Sequence, residues 1–163
     1  MPATKVAATT PFIARGVTRV VLIPTIADTA TFVPTRSEIN AGTDVADEIS
    51  EFAGWSFSVN YVDLPRFGQF AIGQLAASRK GDASSLTFYR NTVGTGPHTL
   101  FTPNASAFIA WLYGGDVAAS KMDIFRTTVA SVTPLPTLAD EAMRTRVDFS
   151  IVGDVIANVT IPT

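Results

Sequence analysis

The side chains best able to do chemistry in this 163-residue chain are few and scattered. There is one histidine, His98, set in a Gly-Pro-His-Thr turn. A Ser-His-Asp site needs its imidazole held by a carboxylate and facing a serine on a rigid elbow. No G-x-S-x-G segment occurs, so His98 reads as a turn residue. With no cysteine and one histidine, the chain lacks the ligands of a structural zinc site. The acidic run Asp44, Asp47, Glu48 and Glu51 lacks the alternating ligands, central glycine and closing glutamate of a calcium loop. Neither the phosphate-cradling G-x-x-x-x-G-K-[ST] nor G-x-G-x-x-G is present. The neighbours Asp140 and Glu141 are a carboxylate pair of the kind any acidic chain contains. Nothing supplies a nucleophile, a base and an orienting group together. No catalytic, cofactor-binding or metal-ligating residue is assigned, and the chain is not expected to be an enzyme.

Charge placement is more informative than any motif. Between Arg36 and Arg66 lie Glu38, Asp44, Asp47, Glu48, Glu51 and Asp63 with no Lys or Arg, a net charge of −6. Arg66–Arg90 carries Arg66, Arg79, Lys80 and Arg90 against Asp82, a net of +3. An acidic patch at Asp44, Asp47, Glu48 and Glu51 can pair with a basic patch at Arg66, Arg79, Lys80 and Arg90 on another copy. An acidic face can equally line a passage for a polyanion, since like charge stops it sticking. The plainest alternative is a solvated surface loop.

The elements that would position these groups are mostly strands. Val17–Ile23 is β-branched and ends at Pro24. In Gly54–Val62, Trp55, Phe57, Val59 and Tyr61 alternate with Ser56, Ser58 and Asn60, which predicts an antiparallel strand with all four apolar side chains on one buried face. Phe70–Leu75, Ser85–Arg90, Phe108–Tyr113, Met122–Val132, Thr145–Val152 and Val155–Ile161 read as further strands. Arg79–Asp82 reads as a charged turn, and Met122–Val132 stops before Pro134 and Pro136. Single helical turns are predicted from Pro97 and over Asp140–Arg144. Residues 1–16 read as a flexible N-terminal arm, and 27–53 as a long irregular loop with a role in assembly. Seven or eight short strands with little helix predict a mainly β domain, an antiparallel sandwich or barrel with one short flanking helix, filling 1–163 as a single unit.

Composition agrees with a subunit. Hydrophobic residues make up 47% and charged residues only 16%, against roughly 25% charged in ordinary domains. Either the core is large or part of the surface meets protein instead of water. The absence of cysteine favours an intracellular origin, and a net charge of −2 gives no basic footprint for specific nucleic-acid binding. The N-terminus lacks a signal-peptide core, and no apolar run approaches the ~20 residues of a membrane helix. The sequons at Asn104 and Asn158 read as chance.

In serial order, Arg19–Ile23, PTRSEINAGTDVADEI, GWSFSVNYVDLP, DASSLTFYR and KMDIFRTTVASVTPLPTLADEAMRTRVDFSIVGDVIANVTIP resemble major tail proteins of long-tailed phages, those of actinobacteria above all. The likeness covers most of Arg19–Pro162 and rests on the order of the segments. It implies a tail-tube protein with a β-sandwich or barrel and a flanking helix. Six copies would close a ring, and rings would stack around a tape-measure protein into a hollow, acidic-walled tube. Terminator and tip proteins would cap the tube, and double-stranded DNA would pass through it without specific binding. The resemblance places the protein in the virion tail, made in the host cytoplasm, with no membrane contact. Asn91–Asn104 is Gly- and Pro-rich where the family tends to place its helix, and no immunoglobulin-like decoration domain is expected after Thr163.

Two other readings stand beside this one. Another virion β-protein, a tail terminator or a capsid-decorating protein, would share the composition. A ligand-binding β-barrel would use the aromatic faces of Trp55–Tyr61 and Phe108–Tyr113 to line a pocket.

Overall fold

The computed structural model describes residues 6–68 and 70–163. Its strands are β1 (Arg19–Ile23), β2 (Thr43–Asp44), β3 (Ile49–Ala53), β4 (Phe57–Leu64), β5 (Gly73–Gly81), β6 (Ser84–Tyr89), β7 (Ser106–Leu112), β8 (Lys121–Leu135), β9 (Arg144–Ile151) and β10 (Ile156–Thr160). One α-helix, α1 (Arg36–Ala41), and 3-10 turns at Ala46–Glu48 and Pro97–Leu100 complete the regular structure among the described residues. Eight strands form one antiparallel sheet in the order β2-β1-β7-β8-β9-β6-β3, with β10 also on β8, while β4 and β5 pair only with each other. The mainly β architecture with one short helix is the expected one.

The sheet has to curl. β2 and β3 lie at its two ends, yet only Val45–Glu48 joins them in sequence. Four residues span at most about 14 Å, so the two edges come round toward each other as in a barrel. The enclosed core holds Val20, Leu86, Phe88, Ile109, Trp111, Val147 and Phe149. Val45, on the connecting turn, is buried among them.

A second cluster lies on the outside of β1, β7 and β8, where Val21, Ile23, Ala110, Leu112, Met122 and Ile124 pack under Ile39 of α1 and Ile161. β1 and β7 are therefore buried on both faces. That is why RVVLI and FIAWL read as unbroken apolar runs without a period of two. β6 is buried on both faces from Ser84 to Phe88, whereas β9 buries one face more completely and shows the alternation.

Several local expectations change. The segment 27–53 is irregular only as far as Thr35. Thr35 caps α1 by accepting from Glu38 N, and the Glu38 carboxylate accepts from Thr35 N at 2.7 Å. This capping box turns a polar, Pro-containing stretch into a helix start. After α1 the segment supplies β2, a 3-10 turn and edge strand β3. Arg79 and Lys80 lie within β5 and not in a turn; the chain runs on through Asp82 and Ala83 into β6, with Asp82 N donating to Ser56 O. β8 runs through Pro134, which faces Thr145 of β9. Beyond Thr128 β7 no longer flanks β8, so a missing N–H can face an open edge. The 3-10 turn at Pro97 is present, but residues 140–143 form bends and extended chain leading into β9.

Candidate assembly surface

The β4–β5 hairpin departs most from its expected place. Gly54 (φ 77°) and Trp55 (φ 63°) both take left-handed backbone, which swings the chain out of the barrel before β4 begins. A methyl group on Gly54 would lie 2.4 Å from Ala83 O, so the turn needs glycine for space as well as for φ. Trp55 is outside the strand. It lodges against Trp111, Phe125 and Phe149 with ring centroids 5.2–5.6 Å away, and its Nε1 donates to Ser85 O at 3.2 Å. Of the four residues expected on one buried face, Phe57 and Val59 are half-buried on β4, while Tyr61 is 62% exposed. A two-stranded hairpin has no second layer to cover it.

The hairpin's amphipathic sense reverses along its length. Near the barrel Phe57, Val59 and Gly81 share the inward face, with Gly81 hard against Ile151, and Ser58, Asn60, Ser78 and Lys80 share the other. Between the Asn60–Ser78 and Tyr61–Ala76 pairs the register shifts by one extra residue on β5, a bulge. Beyond it the first face carries Asp63 and Gln74, joined by a 2.9 Å hydrogen bond. The opposite face now carries Val62, Leu64 and Leu75, all exposed. Phe67, Phe70 and Ile72 at the tip are exposed as well.

The acidic and basic residues singled out from sequence are only partly collected. Asp44 and Asp47 flank Arg19, at 3.5 Å and 2.9 Å, so a cation of the same chain engages two of the four acidic residues and offsets one of their charges. This pair of carboxylates raises the Arg19 pKa above its ordinary value, the Asp47 hydrogen bond first. Glu51 lies 3.9 Å from Arg144. Arg79 sits 3.8 Å from Asp154 and stacks over the Phe57 ring. Arg66, Lys80, Arg90 and Glu48 make no salt bridge among the described residues. Arg79 and Lys80 share β5, whereas Arg66 is near the hairpin tip and Arg90 follows β6, so the four do not form one patch.

Where the curled sheet fails to close, a groove of ≈ 660 Å³ opens between β1 and β3. β2 pairs with Val21 and Leu22 of β1 and Val45 N donates to Val20 O, while β3 pairs with β6 alone among the described residues, so the β3 lip of the seam is an open strand edge. Trp55, Trp111, Phe125 and Phe52 line it, with Arg15 and Glu51 at the rim.

A family model for the phage tail tube protein matches residues 6–163. The chain belongs to the phage tail tube protein family. Among curated proteins none matches the sequence. Two solved structures share the fold. A chain of the anti-feeding prophage baseplate, from a six-fold symmetrised cryo-EM structure, superposes with a TM-score of 0.62 at 11% identity, over 91% of this chain and 95% of that one. A chain of the anti-feeding prophage cap, which terminates the tube, gives 0.58 at 10% identity over 93% of each.

As a member of the tail tube family, the chain is a structural tail protein. Sequence reasoning missed the seam and the reversed face. The seam was invisible because β2 is two residues long and β3 leaves Glu51, Phe52 and Ala53 exposed, so neither carries a burial pattern. The reversal was visible in principle: along β4 the apolar residues pass from Phe57, Val59 and Tyr61 to Val62 and Leu64, which alternation puts on opposite faces.

His98 is the buried residue of the 3-10 turn in this tail tube family member, and its Nδ1 has no hydrogen-bond partner among the described residues. Burial, with the nearby Arg90 charge, holds its pKa below the ordinary value. No described group of three or more His, Asp or Glu converges on a cation, and no described helix is long and apolar enough to cross a membrane.

Proposed function

We propose that the protein is a non-catalytic tail-tube subunit that assembles head to tail into six-membered rings, which stack into the conduit for double-stranded DNA in the virion tail. The observation that carries this is the β4–β5 hairpin. It exposes Val62, Leu64 and Leu75 on the face opposite Phe57 and Val59, and Phe67, Phe70 and Ile72 at its tip. An exposed apolar patch of that kind marks an interaction surface. The receptor must be elsewhere on a copy, so the contact is heterologous and closes rings or propagates filaments. Membership of the tail tube family and a fold shared with a chain of a six-fold symmetrised baseplate support the ring reading.

In this reading the tube forms around a tape-measure protein and ends on terminator and tip proteins. Asp44, Asp47, Glu48 and Glu51 face the lumen or a neighbouring subunit, and their charge keeps DNA from sticking. Residues 6–16, which carry no regular structure before the turn at Arg15–Val17, order against a neighbour.

The test is electron microscopy of purified protein across salt and concentration. Rings and stacked tubes are expected; a monomer under every condition overturns the proposal. Neutralising the four acidic residues together leaves the monomer folded and alters tube assembly or the rate of DNA ejection. A second reading, a terminator that caps the tube, is favoured by the shared fold with the prophage cap chain. It predicts single rings that do not polymerise.

A further inference from the structure

The groove between β1 and β3 is continuous with the N-terminal arm. Ala14, Arg15 and Gly16 form part of its wall, and residues 6–13 continue from there fully exposed. We infer that the arm is a strap poised to close: in the free subunit residues 6–13 fold back over their own groove as a strand added to β3, and so hold the subunit back from assembly. The inference rests on the self-assembly reading and adds its regulation.

The arm has the sequence of a strand for that edge. Extended chain puts Val6, Ala8, Thr10, Phe12 and Ala14 on one face and Ala7, Thr9, Pro11 and Ile13 on the other. Ala14 lines the groove, so its face is the inward one, and Phe12 enters beside Trp55, Trp111 and Phe125. Pro11 has no N–H, which an edge strand tolerates where that position meets solvent. It also makes the new edge a poor template for any further strand.

The receiving site is open and within reach. β3 pairs with β6 on one side and with no strand on the other among the described residues. That free edge can exchange main-chain hydrogen bonds with an added strand. Residues 6–13, at about 3.3 Å per residue, reach roughly 26 Å, more than the 5 residues of β3 span. The groove's ≈ 660 Å³ lies within the ~300–1,000 Å³ range of cavities that enclose a ligand, so a phenyl ring fits. Trp111 has a buried Nε1 that meets no acceptor among the described residues, and an entering strand brings carbonyls. The hinge is Gly16, at φ 79° with open space around it, in a turn where Val17 N and Thr18 N donate to Ala14 O.

Tethering decides which occupant comes first. The arm starts at the groove, so it is present there at roughly the millimolar effective concentration of a short linker, however dilute the protein. Burying Phe12 favours docking and ordering the arm opposes it, so the closed and open states lie close in free energy. An open strand edge invites pairing with another chain, and the closed strap covers it. A neighbour that takes up the β3 edge or the arm must first displace the strap, which raises the concentration needed for assembly.

The chain has no cysteine and two tryptophans, and both tryptophans line the groove. A nitroxide attached at Thr9→Cys therefore reports closure by quenching tryptophan emission. In dilute monomer, quenching that does not change with concentration is expected. Adding Phe12→Ser should abolish it, while Ile13→Ser, on the outward face, should keep it. Without the label, Phe12→Ser should keep the monomer's circular dichroism and lower the concentration at which tubes form by roughly 5-fold or more. Ile13→Ser should leave that concentration in place. Normal tubes from a chain whose arm never quenches the monomer overturn the strap alone. Quenching that appears only as concentration rises puts the arm in a neighbour's groove and overturns it too. So does an assembly concentration that Phe12→Ser leaves unchanged or raises. If neither the native chain nor Phe12→Ser assembles under any condition, the tail-tube reading falls and the strap's role falls with it.

Discussion

Phe88 and Phe67 are the same side chain in opposite surroundings. Phe88 sits on β6 inside the barrel, stacked at 5.6 Å on Phe101 and closed off from water. Phe67 stands on the hairpin tip with nothing of its own subunit over it. The barrel completes its packing by curling one sheet on itself, with α1 covering the outside. The hairpin has two strands, and its distal apolar residues Val62, Leu64 and Leu75 lie on the face opposite Phe57 and Val59, Leu75 through the bulge on β5. The contrast separates what the fold needs from what assembly needs: barrel aromatics hold the monomer together, and hairpin aromatics are spent on a neighbour.

Substitutions sort along that line. The largest effect is expected in the barrel. Phe88→Ala removes a fully buried ring and should cost about 3–5 kcal/mol in urea unfolding, whereas Tyr61→Ala on the hairpin should leave the unfolding midpoint in place. Next comes the joint between the regions. Gly54→Ala forces a Cβ to within 2.4 Å of Ala83 O at a positive φ, and about 2–3 kcal/mol of destabilisation is expected. Gly73→Ala, in open space on the hairpin, is the control and should be near neutral. Within the hairpin, Val62→Asn with Leu75→Asn should change monomer stability by no more than about 0.5 kcal/mol, because neither side chain is buried in the monomer. A larger loss would show that the hairpin belongs to the monomer's own core.

The smallest expected effect is acid dependence inside the barrel domain. His98 is held below its ordinary pKa of 6.5 by burial, then by Arg90, so the folded state disfavours its protonation. Between the folded value and 6.5 the unfolded chain binds the proton and the folded chain does not. Stability from this group is therefore full above pH 6.5 and declines as pH falls below it. Thermal melts from pH 7 to 5 should show the decline, and His98→Gln should flatten it. The hairpin has no histidine and should contribute nothing in this window.

The two regions also differ in how readable they were. Thr145–Val152 was legible because one face meets the core, so burial imprints a period of two, and Ser85–Arg90 was legible because Leu86 and Phe88 alternate with Ser85 and Thr87, although both of its faces are buried. β1 and β7 were legible as apolar runs, though their second buried face follows from α1 and Ile161 packing outside them. The Trp55–Tyr61 alternation gave the right strand and the wrong burial. Periodicity reports which side chains share a face, and it cannot report whether another layer covers that face within the same chain. β2 and β3 escaped notice because a two-residue strand and a half-polar edge strand bury too little to leave a pattern. The acidic residues were located by counting charge, but Arg19, far away in sequence, pairs with Asp44 and Asp47 only once β1 and β2 are neighbours.

The central claim is that the hairpin's outward apolar face exists for another copy. Sedimentation velocity over a concentration series, run side by side on the native chain and on Val62→Asn with Leu75→Asn, tests it most directly. The account predicts that the native chain passes from monomer to large assemblies, while the folded double variant stays monomeric throughout. Assembly of the double variant at the native concentration, or a native chain that never leaves the monomer, would contradict it.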